Sequence, residues 1–387
     1  MKVCDVVLNS IWYDPRVRKQ IVEYGANGIE VSAVGMKCAR YDEEKIKTIP
    51  CKANIVCIDS AYDGQQKGIL RKIKREKLRF AGVRDAIIAE RPDVIHANDL
   101  NALIPAYAAK KKLGCKLVYD SHEINTENYA GGGKSTFSKL MGKVEKHLVR
   151  RVDKMVCVSH AAADYFASVY GIEKPMVVTN CALKKEQIDL AAVQKNEGFE
   201  VLNHGQFYEG RGYELMADAC PLLADMPDAV LAVRGFGRLE QKLHEAADKL
   251  PNKAQFRFYP PVLVQDLISE AAKSMVGVAI TLPVCLNFKL SVSNKIFEYA
   301  AAGLPVIMSD IPEHRYLNNK YNFGLILPEN TPKALAEAAI ELYKNRELYR
   351  TLSANAVAMT KELNWENEFK KLIDAETDML GKRVKHD

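Results

Sequence analysis

The chain has 387 residues, enough for two domains with separate cores. Hydrophobic residues make up 48% and charged residues 27%, a balance typical of globular proteins, and a net charge of +6 does not call for nucleic acid. No apolar run reaches the about 18 residues of a membrane span, the N-terminus reads as too soon charged for a signal peptide, and nine scattered cysteines without a CxxC pair suit buried thiols in a reducing cytosol better than disulfides or zinc.

Val3 to Leu8 is a short apolar strand leading to Asn9–Arg16, with Pro15 at a helix start; the helix ends at Asn27-Gly28 and Ile29 to Val34 reads as the next strand. This order opens a doubly wound α/β sheet, which places ligands at the carboxyl ends of its strands. Asn9 to Arg16, with Asp14 and Arg16 among them, are therefore expected to edge a cleft; Arg16 and Arg18 either meet an anionic ligand or lie on a solvated helix face.

Residues 67–84 carry eight Lys or Arg, one Glu and interleaved Ile69, Leu70, Ile73, Leu78 and Phe80. Such a basic, partly amphipathic helix is either a solvated outer face or a dock for anionic lipid, which would make the protein cytoplasmic and peripheral on a membrane. Nucleic acid suits it less, with one aromatic and no binding module following.

Three further strands end in polar residues: Asp93–His96 before Asn98 and a helix-capping Asp99, Lys116–Tyr119 before Asp120 and His122, and Lys154–Val158 before a capping Ser159. His122 is either a structural histidine or, at a strand end, a catalytic one. The Gly-rich stretch 128–138 is expected to be a flap.

The first domain is expected over 1–184, a linker within 184–198, and a second α/β domain over 199–364. That domain opens with Glu200–Asn203 and a Gly-rich loop holding Gly205, Gly210, Arg211 and Gly212, where glycines permit close backbone approach to a ligand. Strands Ala229–Val233, Phe256–Tyr259 and Ser274–Ile280 follow, then a loop over 281–290.

Residues 291–310 read as a loop, a helix capped by Ser291 or Ser293, a break at Gly303-Leu-Pro305 and a buried strand. Asn294, Lys295 and Glu298 share one helix face. A lysine at a helix start can meet a pyrophosphate and a glutamate one turn on can accept two ribose hydroxyls; the other reading is a solvated Lys295–Glu298 pair.

The phrase NKIFEYAAAGLPVIMSD resembles the donor-binding segment of retaining glycosyltransferases of the GT-B fold, family four in particular. DPRVRKQIVEYGANGIEVSAVG, DVIHANDL, VYDSHEI, VDKMVCVSHAAADYF and HGQFYEGRGYELMADAC resemble further segments of that family, and helix 365–380 its final helix, which crosses back to the first domain. The resemblance implies two Rossmann-like domains facing a central cleft, with a nucleotide-diphospho-sugar donor on the second and a glycan or lipid-linked acceptor on the first. It implies retention at the anomeric carbon and polysaccharide biosynthesis; Arg211, Lys295 and the helix dipole can stabilise the leaving diphosphate and no DxD-like pair sits at a strand end, so no metal or other cofactor is expected.

Residue by residue, Glu298 matches the ribose-binding glutamate, His122 a histidine beside the donor sugar, and Arg211 a lysine that neutralises the pyrophosphate; Gly205, Asn294 and Lys295 are the other donor-binding candidates, Lys295 as a compensating cation, while Tyr259 to Val262, with Tyr259 and Pro260 foremost, would wall the base. Two positions depart from the pattern: Leu290 stands where many members have a second glutamate, and Gln206 where many have an arginine. A non-catalytic nucleotide-sugar-binding subunit and a nucleotide-sugar 2-epimerase using Glu123 and Glu313 are the other readings.

Overall fold

The computed structural model describes residues 1–37, 42–57, 69–127, 136–184 and 188–381, the side chains of 69–73 and 137 excepted. The Gly-rich stretch from 128 to 135 and the start of the basic segment, 67–68, lie outside them. The chain forms two units: among the described residues, one holds those up to Thr179 together with those from Glu368 on, and the other holds 180–367.

The first unit is built on β1 (Lys2–Val7), β2 (Glu30–Met36), β3 (Lys52–Val56), β4 (Val94–Asn98), β5 (Lys116–Ser121), β6 (Lys154–Cys157) and β7 (Met176–Val177). They form one sheet in the order β3-β2-β1-β4-β5-β6-β7, and every pairing is parallel. The helices of this part are α1 (Pro15–Ala26), α2 (Glu43–Lys47), α3 (Ile69–Glu90), α4 (Asp99–Leu113), α5 (Thr136–Val149) and α6 (His160–Tyr170). The strand order reverses between β1 and β4, where a doubly wound sheet opens a crevice for ligands.

The second unit repeats the plan with β8 (Phe199–Gln206), β9 (Ala229–Phe236), β10 (Phe256–Tyr259), β11 (Val276–Ala279), β12 (Val306–Ser309) and β13 (Gly324–Leu327), ordered β10-β9-β8-β11-β12-β13 and again parallel. Its helices are α7 (Tyr213–Ala219), α8 (Glu240–Ala247), α9 (Leu267–Ala271), α10 (Leu286–Leu290), α11 (Lys295–Ala301), α12 (Pro312–Tyr321), α13 (Pro332–Lys344) and α14 (Arg346–Glu362). The reversal falls between β8 and β11. The last helix, α15 (Trp365–Met379), starts in the second unit and contributes its residues from Glu368 on to the first.

Strands β4 and β12 are buried along their whole length, as strands covered on both faces are. The apolar pattern breaks on the three central strands of the first sheet, where Asp5, His96, Asn98 and Asp120 are all buried. Register aligns Asp5 with His96 and Asn98 with Asp120, so these polar groups form one belt near the carboxyl ends. Helix α1 lays Arg16, Gln20 and Tyr24 against that belt, the i, i+4, i+8 stripe of a single helix face.

Arg16 thus departs from the sequence reading. It is 3% exposed, and its guanidinium donates from Nε and Nη2 to the two carboxylate oxygens of Asp120 (2.9 and 3.0 Å) and from Nη1 to the Val178 carbonyl (3.0 Å). A buried carboxylate demands such a partner, and the fork of an arginine answers both oxygens at once. Asp14 caps α1, its carboxylate accepting from the Arg16 and Val17 amides (both 3.1 Å).

The basic segment continues as α3, with Lys74, Arg75, Lys77 and Leu78 exposed and Arg79 paired to Glu76. Among the described residues no helix is long and apolar enough to cross a membrane.

His96 joins the belt to α15. Its Nδ1 donates to the Tyr24 hydroxyl (2.9 Å), which donates onward to Glu376 (2.8 Å), and its Nε2 lies 3.4 Å from Asp120. Burial opposes the imidazolium, but hydrogen bonds to Asp120 and Glu376 and the charge of Asp5 outweigh it and push His96 up to about 10. A histidine raised in the folded state stabilises the fold in full below its unfolded value of about 6.5 and loses that contribution as pH climbs towards 10. Urea denaturation at pH 6, 8 and 9.5 should show His96→Gln much less stable than wild type at pH 6, with the gap closing as pH rises. A gap that widened as pH rose would mean that His96 is neutral when folded, and a gap independent of pH that folding does not shift it.

Candidate functional site

In the first unit, His122 follows directly on β5 and Asp99 on β4. Asp99 is not the cap expected from the sequence: Asn98 occupies that place, and Asp99 is the first residue of α4 with φ of 64°, a left-handed conformation uncommon for a side chain other than glycine. Its carboxylate accepts from the His122 amide (3.0 Å) and the Asn125 side chain (3.1 Å).

The His122 ring is half-buried, Nε2 donating to Asn98 Oδ1 (2.9 Å) and both nitrogens 3.7 Å from a carboxylate, Nδ1 from Asp99 and Nε2 from Asp120. Burial works against its charge, but the carboxylates of Asp99 and Asp120 prevail and push His122 up to about 9. At neutral pH it is an imidazolium, able to donate hydrogen bonds and to stabilise negative charge but not to accept a proton. Asn98, which receives the Nε2 bond, itself donates to Asp5. Burial drives Asp5 up to about 7, against the pull of His96 and Asn98, whereas Arg16, His122 and His96 overcome burial and hold Asp120 well below the usual carboxylate range.

In the second unit, β8 runs through Asn203, His204 and Gly205 into the Gly-rich loop. Gly212 caps α7 at φ of 78°, and a Cβ there would come within 2.4 Å of Ile280. Glycine is thus needed twice over, for conformation and for room. Arg211 lays its guanidinium over the Phe288 ring (4.3 Å). Phe288 lies on α10, a five-residue helix within the span the sequence gives as a loop.

Helix α11 begins later than the serine caps imply: Asn294 is its N-cap, exposed and making no side-chain cap bond, and the helix has only seven residues. Lys295 does not pair with Glu298 as a surface lysine would; its ammonium donates to Asn203 Oδ1 (2.6 Å) and to the Tyr213 hydroxyl (3.3 Å). Burial, reinforced by the Arg211 charge and resisted by Glu298, lowers Lys295 to about 7. A Cβ on Gly205 would touch Lys295 Cε and the Tyr213 hydroxyl, each at 3.4 Å. Glu298 Oε2 accepts from His204 Nε2 at 2.8 Å. Gly205, Arg211, Lys295 and Glu298 therefore gather at the switch point of the second sheet, two cations and one carboxylate around a backbone turn, an arrangement suited to an anion joined to a polyol.

The chain matches the model of Glycosyltransferase Family 4 over residues 21–185 and that of Glycosyl transferases group 1 over 198–345. It is a glycosyltransferase of the family-four type. This glycosyltransferase has the GT-B fold, α/β with two Rossmann-like domains. A glycosyltransferase from Rickettsia africae ESF-5 superposes with a TM-score of 0.75 at 13% identity, covering 99% of both chains. Sucrose-phosphate synthase from Thermosynechococcus elongatus gives 0.77 at 14%, over 98% of this chain and 99% of that one. Anabaena Alr3699/HepE in complex with UDP and glucose gives 0.73 at 15%, over 98% and 100%. No curated protein matches in sequence.

Within the glycosyltransferase, Tyr259 ends the edge strand β10 and Pro260 follows it. The Tyr259 hydroxyl donates to Glu200 (2.6 Å), Arg234 covers its ring at 4.8 Å, and Arg234 also donates to the carbonyl of the exposed Pro260 (3.2 Å). Gln206 is exposed at the end of β8. Asn203, His204, Tyr213 and Asp99 belong to the polar machinery without having been singled out for it from the sequence. The signal was present for two of them, since Asn203 and His204 interrupt an apolar strand directly before a Gly-rich loop.

Proposed function

We propose that this glycosyltransferase takes a nucleotide-diphospho-sugar on its second unit and passes the sugar, with retention, to a glycan or lipid-linked acceptor. The observation that carries the reading is the gathering of Arg211, Lys295 and Glu298 beside Gly205 at the β8/β11 reversal. Arg211 and Lys295 would neutralise the leaving diphosphate without a metal, charge stabilisation being the main demand of this chemistry. Glu298 would accept the ribose hydroxyls. His122, charged at neutral pH, would donate to the transferred sugar or the departing oxygen and would not act as a base. Asn294, exposed at the start of α11, would lie beside the diphosphate, and Tyr259 and Pro260 beside the base. The retaining outcome rests on the family resemblance. HepE, solved with UDP and glucose, makes UDP-sugars the first donors to try.

The assay is incubation with UDP-, GDP- and ADP-sugars in EDTA, following slow donor hydrolysis and, with acceptor, the anomeric configuration of the product by NMR. Glu298→Ala should weaken binding of the matching nucleotide by about 2–3 kcal/mol. Arg211→Ala should weaken the diphosphate but not the nucleoside. Calorimetry showing wild-type affinity in Glu298→Ala would remove the ribose assignment.

The depressed Lys295 gives a pH test. Only its ammonium attracts a diphosphate, so above pH 7 binding must first take up a proton, at a cost of up to about 1.4 kcal/mol per pH unit. Affinity for the nucleoside diphosphate should fall from pH 7 to 9, with proton uptake visible as a dependence of the binding heat on buffer ionisation. Lys295→Met should bind more weakly at pH 6 and flatten the profile; a flat wild-type profile would exclude Lys295 from the diphosphate site.

A membrane-held acceptor would suit the exposed cations of α3. Wild type should co-sediment with anionic vesicles at low salt and come off at 1 M, where the Debye length is about 3 Å. The Lys74→Gln, Arg75→Gln, Lys77→Gln triple variant should remain in the supernatant, and equal recovery of the two proteins would reject α3 as the anchor.

A further inference from the structure

We propose that His204 is the positioning residue of the nucleotide site, holding the Glu298 carboxylate in its ligand-ready orientation before any ligand arrives. The inference rests on the reading of Glu298 given above and adds to it a residue that neither composition nor motif assigns.

His204 is 1% exposed, on the third strand position before the Gly-rich loop turns away. Its Nε2 donates to Glu298 Oε2 at 2.8 Å. Its ring stacks on Tyr299 with centroids 4.4 Å apart and planes 25° from parallel, and its backbone amide donates to the Tyr299 hydroxyl at 2.9 Å. The residue next to Glu298 thus clamps the imidazole by its face and the main chain by its hydroxyl, and the imidazole in turn fixes Glu298. Among the described residues, Nδ1 has no hydrogen-bond partner although it is buried. A buried imidazole nitrogen without a partner is costly, and a phenylalanine or leucine would pack on Tyr299 without that cost. What the histidine supplies, and those residues cannot, is the single N–H directed at Glu298.

The gain is preorganisation. Glu298 is only partly buried, and a mobile glutamate would lose rotamer freedom on taking up a ligand. With one oxygen fixed by His204, that loss is met during folding, so the affinity of a bound diol reflects the new hydrogen bonds more fully. His204 does not touch the ligand in this scheme and acts only through Glu298.

The test uses the geometry of amide substitutes. The side-chain amide nitrogen of Gln reaches about as far as histidine Nε2, whereas that of Asn stops near Nδ1; both lose the ring stacking. UDP, GDP and ADP are compared first by calorimetry, and the tightest is carried forward. His204→Asn should weaken it about tenfold, the scale of one lost hydrogen bond to a charged group. His204→Gln should stay within about threefold of wild type, and in a Glu298→Ala background His204→Asn should have no further effect. Equal losses in the Gln and Asn variants would overturn the proposal, because ring packing alone would then matter. So would an additional loss in the Glu298→Ala background, because His204 would then act independently. If Glu298→Ala by itself leaves affinity unchanged, the ribose reading fails and this inference fails with it. If Glu298→Ala weakens binding while His204→Asn does not, only the role of His204 is lost.

Discussion

The first unit is organised around one buried carboxylate. Asp120 sits on β5, one of the three central strands, where burial alone would make an unpaired charge prohibitive. The fold answers with a fixed set of partners: the Arg16 fork, the Gln20 amide at 2.8 Å and two histidines. They come from α1, which supplies Arg16 and Gln20, from β4 and from the turn directly after β5. Satisfying Asp120 therefore sets how α1 docks on the sheet and which residues of β4 face inward. His96, charged in this setting, needs a second acid, and Glu376 supplies it from α15 at the far end of the chain. The last helix is tied to the first unit by electrostatic necessity as well as by the packing of Phe369 on Tyr24 at 4.8 Å.

The two units tune their cations in opposite directions by the same physics. Burial opposes the charge of both; at His122 the carboxylates of Asp99 and Asp120 outweigh it and raise the ring to about 9, whereas at Lys295 burial, reinforced by Arg211, prevails over Glu298 and lowers the ammonium to about 7. The ordinary order of histidine and lysine is reversed. A histidine that keeps its proton and a lysine that readily loses it suit different tasks: the first a permanent donor, the second a charge that appears when an anion arrives.

Much of this chain could be read in advance because its signals are local. The alternation of short apolar strands with helices announces two doubly wound sheets, and Gly303, with φ of 70°, ends α11 as the Gly-Leu-Pro break suggests. The gathering of Gly205, Arg211, Lys295 and Glu298 follows from the same logic, since both segments end or begin at carboxyl strand ends, where such sheets build their sites. Arg16 could not be read this way. It stands two residues after a strand-end loop, where an exposed arginine is ordinary, and only its spacing to Gln20 and Tyr24 hinted at a polar inner face.

The sequence by itself determined the class of fold, the order of the elements and the residues offered at each strand end, because hydrophobic period, glycine and proline act within a few residues of themselves. Tertiary structure alone decided which of those residues meet. Arg16 finds Asp120 across 104 positions and His204 finds Glu298 across 94, contacts fixed by strand register and helix docking. The same packing decided the protonation of His96, His122 and Lys295. A side chain's charge state depends on the dielectric and the charges around it, and those come from parts of the chain that share no local pattern.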